Sequence, residues 1–166
     1  MNVTQPFQVG IISDSGMEVQ RRQGLELIRM LGRVRGKFGR PVTLHHCGTS
    51  QADNIARTFA VNAGWQVETH PTYKGAGMIP WRTAVRHSSP EIIHPARTPR
   101  ERDMEVIRKS HLIVAVEFDF GMGTGLLRKA EAEGRAVVHI KHAHLNALSA
   151  PIYSGVIHDW LVDEWR

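Results

Sequence analysis

The chain has 166 residues, 42% hydrophobic and 22% charged, with a formal net charge of +5. That length fits one domain burying roughly 70% of its unfolded surface, and the composition excludes disordered, collagen-like and disulfide-rich classes. The single cysteine, Cys47, excludes an internal disulfide and points to a reducing, cytoplasmic setting. No apolar run approaches the length of a membrane span, so no membrane partner is expected. The isoelectric point near 9.9 and the excess of Arg over Lys suit a planar anionic partner such as a phosphate.

The stretch "MNVTQPFQVGIIS" has no basic region ahead of its apolar run and reads as a strand, not a signal peptide. Its β-branched part, 7–13, predicts a buried strand. A helix is expected over 18–35, with Leu25, Ile28, Leu31 and Val34 at helical spacing and Gly24 as a local weakness. "PVTLHH" at 41–46 predicts the second strand. Residues 51–63 carry Ala52, Ile55, Ala56, Phe59, Ala60 and Ala63 as an apolar stripe closed by Gly64. "WQVETH" at 65–70 predicts a third strand, stopped by Pro71. Residues 72–98, rich in Pro and Gly, read as an irregular connection, long enough to be a lid or an interface arm.

A short helix is expected over 99–110, opened by Pro99 and Glu101. "HLIVAVEF" at 111–118 is the most apolar run and predicts a central strand. "GMGTG" at 121–125 reads as a glycine-rich turn, followed by a helix over 126–133 and a fifth strand over 135–140. In the tail, 141–166, Leu161 and Trp165 can share one helical face, and Trp160 with Trp165 suits docking on the core or a second chain. Strands alternating with helices predict an α/β, Rossmann-like three-layer sandwich. It would have a mainly parallel sheet of about five or more strands in a single domain over 1–166, its core spanning 7–140.

Ligands of such sheets bind beyond the carboxyl ends of the strands. Four polar or glycine-rich stretches fall there. The first is "SDSGM", with Ser13, Asp14, Ser15 and Met17; the second is "HHCGTSQAD", with His46, Gly48, Thr49, Ser50 and Asp53. The third, at 70–73, follows the third strand. The fourth is the glycine-rich turn, where Gly121, Gly123 and Gly125 let backbone approach a phosphate and Thr124 adds a hydroxyl. Arg102 offers a guanidinium. Asp53 either lines the ligand or braces its own turn. His45 and His46 are adjacent on a strand and point to opposite faces. Zinc spacings are absent, so no metal site and no cofactor is expected. Cys47 as a nucleophile would need a partnered base in reach, which the sequence does not show.

Together these motifs resemble the SLOG superfamily, the Rossmann-like group that includes LOG phosphoribohydrolases, DprA-type DNA-processing proteins and nucleotide-sensor domains. "SDSGMEVQ" resembles the first-strand loop of small prokaryotic and phage members. "HHCGTSQAD" is similar to their H-H-G-D-C-x-G-A-D motif, keeping His45, His46, Ala52 and Asp53. "RERDMEVIRKSHLIVAVEFDFGMGTGLL" is similar to their E-R-K/N to G-G-x-G-T segment, keeping Glu101, Arg102, Gly123 and Thr124. The acidic residues that follow G-T in the LOG hydrolases are replaced by Gly125, Leu126 and Leu127.

The resemblance therefore implies a nucleotide-binding edge with incomplete hydrolytic machinery. It implies a sensor or sequestering protein for a nucleotide or nucleotide-derived signal, such as an ADP-ribose derivative, and a homo-oligomer. A phosphoribohydrolase is the alternative; its carboxylate, required by an oxocarbenium-like transition state, would come from Asp14, Asp53, Asp103, Glu117 or Asp119. A second alternative is a DprA-like binder of single-stranded nucleic acid. In the long loop, Trp81 beside Arg82 gives it little support.

Overall fold

The alternating pattern folds into one sheet flanked by helices. The computed structural model describes residues 5–13, 19–38, 41–72, 91–116, 122–140 and 153–154. Among them the strands are β1 (Phe7–Ser13), β2 (Val42–His46), β3 (Gln66–Thr69), β4 (Glu91–Ile93), β5 (Leu112–Val116), β6 (Ala136–Ile140) and β7 (Tyr153–Ser154). The helices are α1 (Arg21–Lys37), α2 (Gln51–Asn62), α3 (Pro99–Lys109) and α4 (Met122–Ala132). The strand order is β4-β3-β2-β1-β5-β6-β7. The first six strands are parallel, and β7 pairs antiparallel with β6.

The chain runs outward from β1 through β2 and β3 to β4, then returns to lay β5 on the other side of β1. The order therefore reverses at the β1/β5 pair, where Ser13 sits opposite Val116. A crevice outside the carboxyl ends of two such strands is where open α/β sheets bind ligands. β5 is buried along its whole length, as expected of a central parallel strand covered on both faces. Helices α1 and α2 cover one face, packing Leu27, Leu31 and Ala56 on Val9, Leu44 and Val114. Helices α3 and α4 cover the other, packing Val106, Ile107 and Leu127 on Ile12, Ile113 and Val137.

Gly10 sets how closely α3 approaches β1. A Cβ there would run into Ser110 Oγ and stand 2.9 Å from Val106 Cγ1. Asp53 stands in the first turn of α2, and Pro99 and Glu101 open α3, as expected from sequence. The structure adds their reciprocal caps, Ser50 with Asp53 and Thr98 with Glu101. Gly64 ends α2 at φ 73°, a left-handed conformation that glycine adopts without cost.

Three expectations differ. The buried face of α1 is Gly24, Leu27, Met30, Leu31 and Val34, while Leu25 and Ile28 are exposed. Two overlapping apolar stripes fit the helical period, and packing on α2, with Gly24 against Ile55 Cδ1, selects one. The stretch 72–98 contains β4, whose three residues are too few for an alternation signal. Thr72 also forms a parallel bridge with Arg97. Finally, α4 begins at Met122, so Gly123, Thr124 and Gly125 lie in its first turn and not in a loop before it. No described helix is long and apolar enough to cross a membrane. The expected terminal helical face of Leu161 and Trp165 lies outside the described residues.

Candidate functional site

The carboxyl edge gathers the ends of β1 and β2, the turn before α2, the start of α3 and the first turn of α4. The turn is built by Asp53. Its Oδ2 accepts from Thr49 N at 3.0 Å and Ser50 N at 3.1 Å, and its Oδ1 accepts a longer bond from Cys47 N at 3.4 Å. In return Asp53 N donates to Ser50 Oγ at 3.0 Å. Asp53 is only 1% exposed, so its charge is carried by these donors and by the α2 dipole. Gly48 takes φ 75°, which lets the chain reverse there. The turn is latched to β1 by Ser13 Oγ donating to Ser50 Oγ at 2.6 Å.

Of the two roles open to Asp53 in the sequence, its contacts are those of the brace. The Thr49 and Ser50 amides, which the turn would otherwise offer to a phosphate, are engaged by that carboxylate. What remains is the Thr49 hydroxyl: its Oγ1 is buried and has no hydrogen-bond partner among the described residues. A buried hydroxyl without a partner is costly unless something else occupies the space beside it.

Arg102 is buried, and its neighbour in sequence holds it: Nε donates to Asp103 Oδ1 at 2.9 Å and Nη2 lies 2.9 Å from the same oxygen. Cys47 Sγ donates to that oxygen at 3.7 Å. Burial pushes the Asp103 carboxyl up, with Arg102 opposing. Burial, then the Asp53 charge, raises the Cys47 thiol well above its ordinary value, so Cys47 is a packed thiol with no thiolate character at neutral pH. Asp103 is the residue that sequence reasoning missed as a partner of Arg102. Its position one residue on gives no sign of it, because adjacent helical residues do not ordinarily face each other.

His46 is the last residue of β2. It is fully buried, its Nε2 is 3.1 Å from Thr69 Oγ1, and Thr69 donates to Glu91 Oε1 at 3.1 Å. Arg57 of α2 closes the chain onto Glu91 Oε2 at 2.9 Å. Burial lowers the His46 pKa, with the Asp53 and Glu91 charges opposing. This network ties β2, β3 and β4 to α2.

The structure thus brings together Ser13, Gly48, Thr49, Ser50, Asp53 and Arg102 on elements that meet at one edge. Gly123, Thr124 and Gly125 stand in the first turn of α4, where amides lack intrahelical partners. Gly125 is exposed, with open space where a Cβ would go. Asp14, Ser15, Met17 and Gly121, with the candidate carboxylates Glu117 and Asp119, lie outside the described residues.

No family model and no curated protein matches the chain. Among solved structures, the fold is similar to the structural-genomics protein TM1055, with a TM-score of 0.52 at 16% identity over 79% of this chain and 72% of that one. It is also similar to DNA processing protein A (DprA) from Streptococcus pneumoniae, with a TM-score of 0.57 at 10% identity over 96% of this chain. The chain spans 56% of the DprA chain. At these identities the likeness is one of fold.

Proposed function

We propose that this chain binds a phosphorylated nucleoside, of the nucleotide or ADP-ribose type, at the carboxyl edge of the sheet, as a sensor or sequestering protein. The observation that carries the reading is the buried, unpartnered Thr49 Oγ1 in a braced turn beside the strand-order reversal. The phosphate would rest on the first turn of α4, around Gly121, Gly123, Thr124 and Gly125, where helix amides and dipole favour an anion. Arg102 supplies charge from Nη1, since Asp103 engages Nε and Nη2. Thr49 and the Ser13–Ser50 hydroxyl pair suit ribose or a phosphate oxygen, and Asp14, Ser15 and Met17, which follow β1 in sequence, would close the base or ribose side.

Binding is favoured over N-glycosidic hydrolysis because both described carboxylates at the edge are occupied. Asp53 accepts three backbone N–H groups, and Asp103 holds Arg102. Neither is free to stabilise an oxocarbenium-like transition state. A homo-oligomer is part of the proposal; it is supported by β4, the outermost described strand on its side of the sheet, with Ile92 and Ile93 exposed.

The test is a thermal-shift screen with AMP, NAD, ADP-ribose, cyclic ADP-ribose, cyclic dinucleotides and a short DNA strand, each mixture then weighed for cleavage. A ligand at 100 times its Kd adds about 2.7 kcal/mol, which raises the midpoint by at least about 5 °C in a chain of this size. The variant Thr49→Val keeps the shape of the side chain and removes the unpartnered hydroxyl. It is expected to leave the free protein as stable as before and to reduce the shift. A shift accompanied by free base would favour the phosphoribohydrolase. A shift with DNA alone, falling steeply with salt, would favour the nucleic-acid binder. No shift with any probe sinks the proposal.

A further inference from the structure

On the face of the sheet that α3 covers, two neighbouring strands, β2 and β3, bring nitrogen and carboxylate ligands to one point. His45 and Glu68 are register partners on β2 and β3. His70 is two residues beyond Glu68 and therefore on the same face. His45 Nδ1 lies 3.0 Å from His70 Nε2 and 3.5 Å from Glu68 Oε2, and all three ligand atoms are within 4.8 Å of one another. Ligands at ordinary zinc–nitrogen and zinc–oxygen distances in a tetrahedral site stand about 3.3 Å apart. Both histidines are buried, and Glu68 is partly open to solvent.

The surrounding contacts orient the rings as ligands. Gln8 Nε2 donates to Pro6 O at 3.2 Å, which identifies the other amide atom as oxygen. That oxygen is 2.6 Å from His45 Nε2, and an amide oxygen only accepts, so Nε2 carries the proton. With the proton on Nε2, His45 Nδ1 is an acceptor, 3.0 Å from His70 Nε2 and 3.5 Å from the Glu68 carboxylate. His94 fixes the carboxylate through Nε2 at 2.7 Å from Glu68 Oε2, and its ring stacks on His70 with centroids 4.3 Å apart. Partners of this kind, on the far nitrogen of a ligating His and on a ligating carboxylate, are what orient metal ligands.

We infer that His45 Nδ1, His70 Nε2 and Glu68 Oε2 form a binding site for a divalent d-block cation of the zinc class, with the remaining position open beside Glu68 and His94. Two imidazoles and one carboxylate suit zinc and its neighbours and not the oxygen-seeking magnesium or calcium. His70 would ligate in its other neutral tautomer, its proton moving from Nε2 to Nδ1, so no net charge change is needed at the rings. Among the described residues, the lysine at the carboxylate is Lys109, with Nζ 3.6 Å from Glu68 Oε2. It also lies 3.6 Å from Glu105 Oε1, one helical turn away, which can receive it when a metal takes Glu68. The site shares no residue with the nucleotide edge and does not depend on it. His45 and His46 do point to opposite faces; the partners of His45 come from β3 and not from its neighbour in sequence.

The test is a zinc titration of the chelator-stripped full chain against a chromophoric competitor, with cobalt(II) as the spectroscopic probe. A single equivalent is expected, with the intense visible bands of four- or five-coordinate cobalt and a rise in thermal midpoint with zinc that magnesium does not produce. Glu68→Gln should weaken binding by about 10-fold or more, the range seen when groups supporting a metal are lost. Lys109→Ala, at a half-buried position of α3, should tighten it by removing the competing charge. Absence of the zinc-dependent rise, or octahedral cobalt bands, overturns the site in the wild-type protein alone. Equal affinity in wild type, Glu68→Gln and Lys109→Ala also overturns it and assigns the metal to others of the ten histidines.

Discussion

Replacing Asp53 by Ala removes the acceptor around which the turn at the edge is built. The two well-placed bonds, from Thr49 N at 3.0 Å and Ser50 N at 3.1 Å, end on an ionised oxygen. Hydrogen bonds to charged groups contribute about 1.5–3 kcal/mol each, and the 3.4 Å contact from Cys47 N adds little. The summed loss is about 3–6 kcal/mol. At about 2–4 °C per kcal/mol for a chain of this length, the thermal midpoint should fall by roughly 10 °C. Urea denaturation should show the same loss as a lower midpoint with an unchanged slope. Asp53→Asn keeps one accepting oxygen but loses the charge at the α2 N-terminus and turns an amide donor toward the Cys47 or Thr49 N–H. Its cost should fall between wild type and Asp53→Ala. An Asp53→Ala protein within about 0.5 kcal/mol of wild type, the range of an ordinary surface change, would refute the brace and return Asp53 to the candidates for ligand contact or catalysis.

Gly10→Ala should destabilise by about 1–3 kcal/mol through overpacking, because the new methyl meets Ser110 Oγ, itself held by a 2.6 Å bond to Val106 O. Chemical denaturation of Gly10→Ala alone and combined with Ser110→Ala tests this; additive losses would argue against the clash. Glu91 is held below its ordinary value of 4.5: burial opposes ionisation, but the Arg57 and Thr69 hydrogen bonds outweigh it. The folded state therefore favours the carboxylate, and its contribution is full above pH 4.5 and lost as the pH falls through the lowered folded value. Glu91→Gln should flatten that part of the stability–pH curve, and an unchanged acid limb would show that the Arg57 pair contributes nothing. If copies associate along β4, light scattering should report an oligomer that Ile92→Lys dissociates; an unaltered mass would place any interface elsewhere.

Much of the fold was legible from local chemistry. The β-branched runs, Asp53 and Glu101 in their first helical turns, Pro99 and Gly64 each act within a few residues, so their outcome is written in short windows of sequence. The convergence of Ser13 and the Gly48–Ser50 turn followed from the parallel alternation alone, since parallel strands send all their carboxyl ends to one edge. Where two local solutions were equal, the sequence was silent. The helical period fits both a Leu25/Ile28 and a Leu27/Met30 face for α1, and only contact with α2 and the sheet buries the second. The Gly-rich segment fits either a turn or a first helical turn, and α4 starts inside it.

Tertiary structure alone decided how polar groups pair across the fold. Asp53 could face a ligand or its own turn, and the position of three backbone N–H groups chose the turn. His45 looked isolated because its neighbour in sequence points the other way. Its partners are Glu68, 23 residues on by their numbers, and His70, 25 residues away, set beside it by the register of β2 on β3. Sequence determines which face of a strand a side chain takes, because that alternates residue by residue. Which side chains then meet depends on strand order and register, and those are fixed by the packing of the whole sheet.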